Sequence, residues 1–247
     1  MLGLLIRKLE NFAKLTVLEK QALANASVVA VNLPAHADLQ QEGSAADDGM
    51  HLILKGFACR YKLLPDGRRQ IVGYCVPGDL CDPRMFVLQR TDYSVGTLSP
   101  VRAGRLSRES VIELGEHHPR LTLALWWTTL VEEAIALEWM INVGQRSAFE
   151  RAAHLLCEVY MRLGAVGLVH DNRCEFPLTQ NEIGDTLALS TVHVNRTLME
   201  LRRTGLISLH DKQLTIHDLS GLKDAAGFNP AYLHLGPAPD AEANAAP

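Results

Sequence analysis

The chain has 247 residues, of which 47% are hydrophobic and 21% are charged, so it is long enough for two globular domains with ordinary cores. Its net charge of −4 argues against a protein that coats nucleic acid without sequence preference, although a specific DNA reader needs only a locally positive surface. The five cysteines include no Cys-x-x-Cys pair, which favours a reducing cytoplasm over a disulfide scaffold. A signal peptide is not expected, because in the opening stretch MLGLLIRKLENF the charges follow only a very short apolar run. A membrane span is not expected, because no uncharged apolar run reaches about 18 residues.

The first half of the chain predicts a short helical lead followed by a β domain. Residues 1–25 carry apolar side chains at helical spacing. From Val28 to Leu106, strand-like segments alternate with Gly, Pro and Asp, and Pro65-Asp66-Gly67 is a clear hairpin signal. Many short strands separated by turns are typical of a sandwich, a barrel or a jelly roll. We therefore predict an α+β protein whose first domain is formed by residues 1–118.

A long amphipathic helix is predicted from Pro119 to Val143. Its apolar residues follow the a/d spacing of a coiled-coil seam for nearly three heptads. A second apolar side would need a second partner, so residues 119–144 are predicted to form a homodimer; the alternative is a helix packed only on its own β domain. The predicted seam residues are Leu123, Trp127, Leu130, Ala134, Leu137 and Ile141.

The chain after the long helix predicts a hinge, a second helix and a loop. Gly144 is the expected hinge, because glycine costs about 1 kcal/mol of helix stability relative to alanine. A helix from Gln145 to Leu163 and a Gly-rich loop from Gly164 to Phe176 should follow. At the other end, residues 218–247 form an acidic tail that is expected to be partly disordered.

The stretch from Leu178 to Ile216 shows the spacing of a helix-turn-helix followed by a small hairpin. Thr179 and Glu182 form a capping box that starts the first helix. Ser190 is a suitable N-cap for the second helix, Thr191–Arg203. The hairpin alternates as two short strands around a polar turn, which is typical of a wing.

Residues 145–217 are therefore predicted to form a winged helix-turn-helix that binds a specific DNA site, against the alternative of a purely structural helix pair. A recognition helix contacts bases through its N-terminal polar side chains, and Arg suits guanine as Asn suits adenine. The predicted base contacts are Thr191, His193, Asn195 and Arg196. The predicted phosphate contacts are Thr179, Gln180, Asn181, Arg202, Arg203 and Lys212.

The order of these elements resembles the family of the cyclic-AMP receptor protein and the fumarate–nitrate reduction regulator, called Crp/Fnr, over roughly Leu33 to Ile216. Its motifs are LILKG, PGD, LSRES and the helix-turn-helix itself, at Leu52–Gly56, Pro77–Asp79, Leu106–Ser110 and Leu178–Ile207. The resemblance implies an N-terminal β-roll of jelly-roll, cyclic-nucleotide-binding-like type that senses an effector. It also implies a bacterial, cytoplasmic transcription regulator that is not an enzyme. Such a homodimer would bind an inverted-repeat promoter site in double-stranded DNA and act with RNA polymerase.

Several departures from the family pattern bear on the effector, whose identity stays unknown. Members that bind cyclic nucleotide use a Glu for the ribose hydroxyl and an Arg for the phosphate. Here the run Asp82-Pro83-Arg84 places proline where that Glu would be, and Asp92 would repel a phosphate, so cyclic AMP is not expected. An N-terminal iron–sulfur cluster is not expected either, because no cysteine precedes Cys59.

Two further positions leave alternatives open. Cys75 and Cys81 are expected to be buried in the β-roll, with a redox or haem-ligand role as the alternative. Val192 stands where many members carry a Glu on the recognition helix, so the preferred bases should differ from the usual half-sites.

The rival function is an enzyme or small-molecule binder built on a cupin-like β-barrel, with structural C-terminal helices. The sequence contains no His-x-His metal set in the β region, no Gly-x-Ser-x-Gly, no P-loop and no His-Glu-x-x-His, so no catalytic or metal residues are predicted. A second rival is a regulator without an effector, controlled only by its abundance.

Overall fold

The computed structural model describes residues 2–26, 28–44, 49–81, 88 and 90–236. The chain begins with helices α1 (Gly3–Leu9) and α2 (Val17–Asn25), so the predicted helical lead is two helices rather than one. The second begins at Thr16, whose side chain forms a capping box with Glu19. Both helices pack their leucines into a core shared with the β domain and the start of the long helix.

The described part of the β domain forms two antiparallel sheets, one of three strands and one of four. Gly56, the last residue of the LILKG motif, has a φ of +80°, and a Cβ there would collide with the carbonyl oxygen of Pro100. The predicted hairpin at Pro65-Asp66-Gly67 joins the fourth and fifth strands and is confirmed. The strands are β1 (Val28–Leu33), β2 (Asp38–Gln40), β3 (Gly49–Lys55), β4 (Ala58–Leu63), β5 (Arg69–Cys75), β6 (Ser94–Thr97) and β7 (Val101–Ser107). Their orders in the two sheets are β1-β7-β3 and β2-β6-β4-β5.

Two helices lead out of the β domain, α3 (Arg108–His117) and α4 (Pro119–Gln145), so the predicted long helix is confirmed. The predicted hinge at Gly144 is wrong, because Gly144 lies within α4. The break falls at Arg146 and Ser147, where Ser147 forms a capping box with Glu150 and starts α5 (Ala148–Ala165). A strong N-cap signal thus decides the break, while α4 tolerates a single glycine near its end.

The C-terminal domain contains the predicted winged helix-turn-helix. Its helices are α6 (Gln180–Leu187) and α7 (Thr191–Arg203), and its sheet has the order β8-β10-β9. The strands β9 (Ile207–His210) and β10 (Gln213–Ile216) form the predicted wing. The short strand β8 (Arg173–Glu175) lies inside the segment that was predicted to be a loop, and it is held by pairing with β10.

The chain continues beyond the wing as an ordered segment that the sequence did not predict. Helix α8 (Leu219–Ala226) packs on α5, and a 3-10 helix, Pro230–Leu233, contacts α4. Asp218 caps α8 by accepting a hydrogen bond from the backbone N–H of Gly221. The remaining part of the predicted tail, residues 237–247, lies outside the described residues.

Of the three hydrophobic clusters that the described residues form, one runs through both domains. It includes Phe57 and Tyr74 from the β domain, Trp139 from α4, Leu155 from α5 and Leu214 from the wing. Within the described ranges, every helix is too short or too polar to cross a bilayer.

Candidate nucleic-acid interface

The helix-turn-helix is built from local capping signals. Thr179 Oγ1 accepts a hydrogen bond from the backbone N–H of Glu182 at 3.2 Å, and the Glu182 carboxylate accepts one from the backbone N–H of Thr179 at 2.7 Å. The turn is tight, since a Cβ on Gly184 would lie 2.6 Å from the carbonyl oxygen of Leu189. Ala188 turns the chain in the left-handed conformation, with a φ of +54°. These features fix the angle at which α7 leaves α6.

Helix α7 presents one face to the core and the other to solvent. Val194, Leu198 and Leu201 are buried, as their spacing predicts. Ser190 caps the helix by accepting a hydrogen bond from the backbone N–H of His193. The first two turns of the opposite face are therefore free to meet a ligand.

Three of the four predicted base contacts lie on this exposed face. Thr191, Asn195 and Arg196 are exposed, whereas His193 is half-buried. The exposed N-terminal turns of α7 thus carry the polar side chains that can reach base edges.

The start of α6 is joined to the start of α7 by two side-chain hydrogen bonds. Thr191 Oγ1 donates to Asn181 Oδ1 at 2.8 Å, and Gln180 Nε2 donates to Asn195 Oδ1 at 3.3 Å. The structure therefore brings the predicted phosphate contacts of α6 and the predicted base contacts of α7 into one polar surface. The Thr179 hydroxyl is already engaged by its capping box, so the N–H groups of the first turn of α6 are better placed to meet a phosphate.

The remaining predicted phosphate contacts lie farther away. Arg202 and Arg203 are exposed in the last turn of α7, about 17 Å along the axis from its first residue. Lys212 is exposed at the tip of the wing, where it and Asp211 both have positive φ, as a type I′ hairpin turn requires. Glu200 is exposed one turn beyond Arg196 and reduces the positive charge of this face.

Sequence reasoning did not assign a contact to Val192, which is 82% exposed in the first turn of α7. The exposure of Val192 could have been predicted from the sequence. Val194, Leu198 and Leu201 have the spacing of a core-facing side, and this spacing leaves position 192 pointing outward. Met199, two turns later, is also 59% exposed.

Helix α4 has two apolar sides, and one of them is uncovered. Val131, Ile135 and Trp139 are buried against the chain's own core. The predicted seam residues Leu123, Leu130, Leu137 and Ile141 are each about half exposed, at 50%, 47%, 52% and 50%. Trp127 and Ala134 are half-buried, and the ring of Trp127 lies 6.1 Å from that of Phe12. Trp126 and Met140 extend the uncovered apolar side.

A cavity of about 460 Å³ lies between the strands β4 and β5 and helix α4. The guanidinium of Arg60, on one wall, is paired with the carboxylate of Glu132 on α4. It also donates to the carbonyl oxygens of Leu80 and Cys81, at 3.1 and 2.8 Å. The positive charge of Arg60 is therefore already balanced from within the chain.

The second arginine of the cavity, Arg162, is balanced in the same way. It contacts Asp79 at 2.6 Å and Glu158 at 3.1 Å. Asp79, from the PGD motif, also pairs with Lys8 of α1 at 2.5 Å. Burial by itself raises the pKa of Asp79, but Lys8 and Arg162 outweigh it and hold that pKa at about 2. Asp79 is thus ionised at neutral pH, and its ion pairs tie three distant parts of the chain together.

The other positions that bear on an effector are only partly described. Cys75 and Cys81 are both buried in the β domain, as predicted. Asp92 is exposed, whereas the departure at Asp82-Pro83-Arg84 lies outside the described residues. Within the described ranges, His, Cys, Asp and Glu form no group that could hold a metal ion.

A buried hydrogen bond crosses the junction between α4 and α5, where the Glu158 carboxylate on α5 accepts from Trp139 Nε1 of α4 at 2.8 Å. The same carboxylate accepts from the hydroxyl of Tyr232, in the 3-10 helix, at 2.9 Å. Contacts from the β domain reach the helix-turn-helix as well. Arg69 on β5 donates to Asp185 on α6 at 2.8 Å, and the Tyr74 hydroxyl lies 2.5 Å from that of Thr186.

Comparisons with known proteins agree with this architecture. A family model for the cyclic nucleotide-binding domain matches residues 30–118, and one for the Crp-like helix-turn-helix domain matches residues 150–225. The transcriptional activator protein FnrL of Cereibacter sphaeroides is 31% identical over 183 residues, which is 71% of either chain. The nitrogen fixation regulation protein FixK of Azorhizobium caulinodans is 29% identical over 177 residues, again 71% of either chain.

A solved structure, FixK2 from Bradyrhizobium japonicum, shares the fold with a TM-score of 0.72 at 22% identity, over 82% of this chain and 99% of that chain. The resemblance inferred from the motifs is thus confirmed: the chain belongs to the Crp/Fnr family of DNA-binding transcription regulators.

Proposed function

We propose that this regulator binds an inverted-repeat promoter site as a homodimer, through the N-terminal turns of α7, and that its effector pocket does not hold cyclic AMP. The observation that carries the proposal is the single polar surface formed by the starts of α6 and α7. The hydrogen bonds between these helix starts already hold the side chains of α6 and α7 in place before DNA binds. Less conformational entropy is therefore lost on binding.

Each side chain of this surface suits a different part of the duplex. Arg196 can donate two hydrogen bonds to guanine, and Asn195 can pair with the edge of adenine. Thr191 and His193 add shorter polar contacts. The first turn of α6, with Gln180 and Asn181, offers N–H groups to a phosphate of the flanking backbone, and Arg202, Arg203 and Lys212 provide further phosphate contacts.

The uncovered side of α4 supports the homodimer. The six seam residues recur every three or four positions, and the leucines and isoleucine among them stay half exposed, which is the pattern of a coiled-coil seam without its partner. A second copy of α4 related by a two-fold axis would cover this side with the same residues. The proposed division is thus a sensing domain in residues 1–118, a dimer helix in 119–144 and a DNA-binding domain in 145–217, to which α8 adds a packed extension.

The charges around the cavity support an altered effector pocket. Arg60 and Arg162 would be natural partners for a phosphate, but each is paired with carboxylates of the chain itself. A cyclic nucleotide would have to break these pairs, and leaving a buried charge unpaired is costly. The regulator is proposed to work without cyclic AMP, in the cytoplasm and beside RNA polymerase, and not as an enzyme; the family assignment gives the cupin-like alternative no support.

Selection of bound sites from random DNA with the full chain tests this proposal. We expect an inverted repeat whose half-sites contain guanine and adenine. The same selection with Arg196→Ala should lose the preference for guanine at one position. The matched control, Arg108→Ala, removes an exposed arginine on α3 and should return the wild-type motif. Selected sites without a shared motif, or an unchanged motif with Arg196→Ala, would contradict the proposal.

A further inference from the structure

Val192 is the most exposed large hydrophobic side chain among the described residues, at 82%. It lies in the first turn of α7, between Thr191 and His193 and one turn before Arg196. The same helix buries Val194 almost completely, so the exposure of Val192 reflects its position on the outer face. An exposed valine contributes no hydrophobic stabilisation, because its apolar surface stays in water. Valine is also only a modest helix former, so helix propensity does not explain its presence at this position.

The chemistry of the major groove limits what a valine can contact. Its side chain neither donates nor accepts hydrogen bonds, so it cannot read the polar edge of any base. The apolar group that base pairs present in the major groove is the C5-methyl of thymine. Val192 can therefore favour thymine, whereas the polar side chains that flank it can form hydrogen bonds with the other bases.

We propose that Val192 is a specificity-determining residue that packs on the C5-methyl group of one thymine in each half-site. The inference rests on the proposed DNA contact through α7. Residues four apart lie on one side of a helix, about 6 Å apart along its axis, so Val192 and Arg196 address the same stretch of groove. The thymine should therefore lie within about two base pairs of the guanine that Arg196 contacts.

Met199 offers a built-in comparison. It is exposed and apolar like Val192, but it lies seven residues later, about 10 Å farther along α7. A recognition helix contacts bases mainly with its N-terminal part, so Met199 should not contact the thymine. If both residues instead formed an apolar stripe for another protein, neither would respond to a methyl group on DNA.

The test is a cycle of protein and base substitutions on one selected site. Affinities of the full chain and of Val192→Ala are measured by fluorescence anisotropy, with each thymine replaced in turn by uracil, which removes only the methyl group. Met199→Ala is the matched control. Because Val192 is exposed, thermal melting should show that all three proteins are equally folded.

For the wild type, uracil at one position should lower affinity about fourfold per half-site, which corresponds to one buried methyl group. Val192→Ala should bind the thymine site more weakly and should be indifferent to uracil there, since the contact is already lost. Met199→Ala should keep the wild-type response to uracil.

The inference is overturned if no uracil substitution weakens the wild type, or if Val192→Ala shows the same loss as the wild type. It is also overturned if Val192→Ala binds every site normally, as a protein-contact stripe would require. Failure of the proposed function would give a different result. The wild type would then bind selected and random DNA with the same affinity.

Discussion

Arg196 carries a charge on the exposed face of α7 and has room to approach a base edge. If it donates two hydrogen bonds to guanine, Arg196→Ala should cost about 1–3 kcal/mol of binding at the specific site. Binding to random DNA should change much less. Competition titrations with specific and random duplexes at one salt concentration measure both losses.

A phosphate contact gives a different result and supplies the control. Arg202→Ala should weaken specific and random binding by similar factors and lower the salt slope by about one. An equal loss on both duplexes for Arg196→Ala would reassign Arg196 to the phosphate backbone, and no loss on either would remove it from the interface.

His154 on α5 is fully buried among the rings of Phe228 and Tyr232, with its Nε2 atom 3.3 Å from Glu138. Its pKa is lowered from 6.5 to about 4, first by burial and then by Arg146, and Glu138 opposes this only in part. The folded state holds the neutral ring, whereas the unfolded chain takes up a proton below its ordinary pKa. The histidine therefore favours folding fully above pH 6.5, and that contribution is lost as the pH falls toward 4.

The expected size of this loss is about 3 kcal/mol of unfolding free energy between these pH values. Urea unfolding at several pH values measures it. His154→Leu should remove that part of the pH dependence while the acid loss from Asp79, at lower pH, remains. A variant with the same pH profile as the wild type would show that His154 does not titrate in this way.

The buried ion pairs of Lys8, Asp79 and Arg162 could not be predicted from the sequence. Lys8 and Asp79 are 71 positions apart, and Asp79 and Arg162 are 83 apart. Lysine, aspartate and arginine are normally expected at the surface, and no local spacing indicates that three of them will meet inside. By contrast, Ser190 and Glu182 were predicted in their capping roles because the groups they bind lie three residues away.

At the scale of elements, the uncovered apolar side of α4 gives the clearest test of the proposed dimer. Leu130→Glu combined with Leu137→Glu would place four carboxylates in the proposed dimer seam, two from each copy. Light scattering should show a dimer for the native chain and a monomer for this variant, while circular dichroism of the β domain is retained. Because each buried, unpaired carboxylate would cost roughly several kcal/mol of desolvation, we expect the variant copies to separate.

The control for this variant adds the same charge elsewhere on α4. Thr122 and Gln145 are exposed and lie outside the predicted seam, so Thr122→Glu with Gln145→Glu should remain dimeric. A native chain that is monomeric at every concentration tested would contradict the homodimer.

Elements with local signals were predicted well, and elements that depend on distant partners were not. The wing strands and the two helices of the helix-turn-helix agree closely with their predicted ranges. Strand β8 has three residues and exists because β10, some 40 positions away, pairs with it. Helix α8 has a good N-cap at Asp218, but its Ala-rich, acidic continuation made the whole segment look like a tail.

At the scale of the whole molecule, the proposed two-fold dimer would fix the geometry of its DNA site. Two α7 helices on one side of the duplex require half-site centres about 34–36 Å, or 10–10.5 base pairs, apart. Inserting about five base pairs between the half-sites turns the second groove to the far side. Affinity, measured by gel shift, should then fall toward that of a single half-site.

The bonds that join α4 and the β domain to the DNA-binding domain should make affinity depend steeply on half-site spacing. Trp139 of α4 donates to Glu158 of α5, and Arg69 of β5 donates to Asp185 of α6, so we expect the DNA-binding domain to have little freedom to follow a displaced half-site. A full-turn insertion should therefore restore affinity only in part. An optimal site that is a direct repeat, or a single unpaired motif, would contradict the two-fold arrangement.

The hydrophobic core that runs from the β domain through α4 and α5 to the wing has a consequence for cooperativity. Melting either domain alone would expose its half of this shared cluster and strip the other half of its contacts, so we expect the two domains to melt together. Calorimetry should show one endotherm, with equal calorimetric and van't Hoff enthalpies, and the slowest amides of β5 and β10 should exchange at one common rate. Two endotherms would show that the domains melt as separate units. With a single transition, a destabilising change deep in the β domain reaches the DNA-binding end as a smaller fraction of folded protein, without moving any atom that touches DNA.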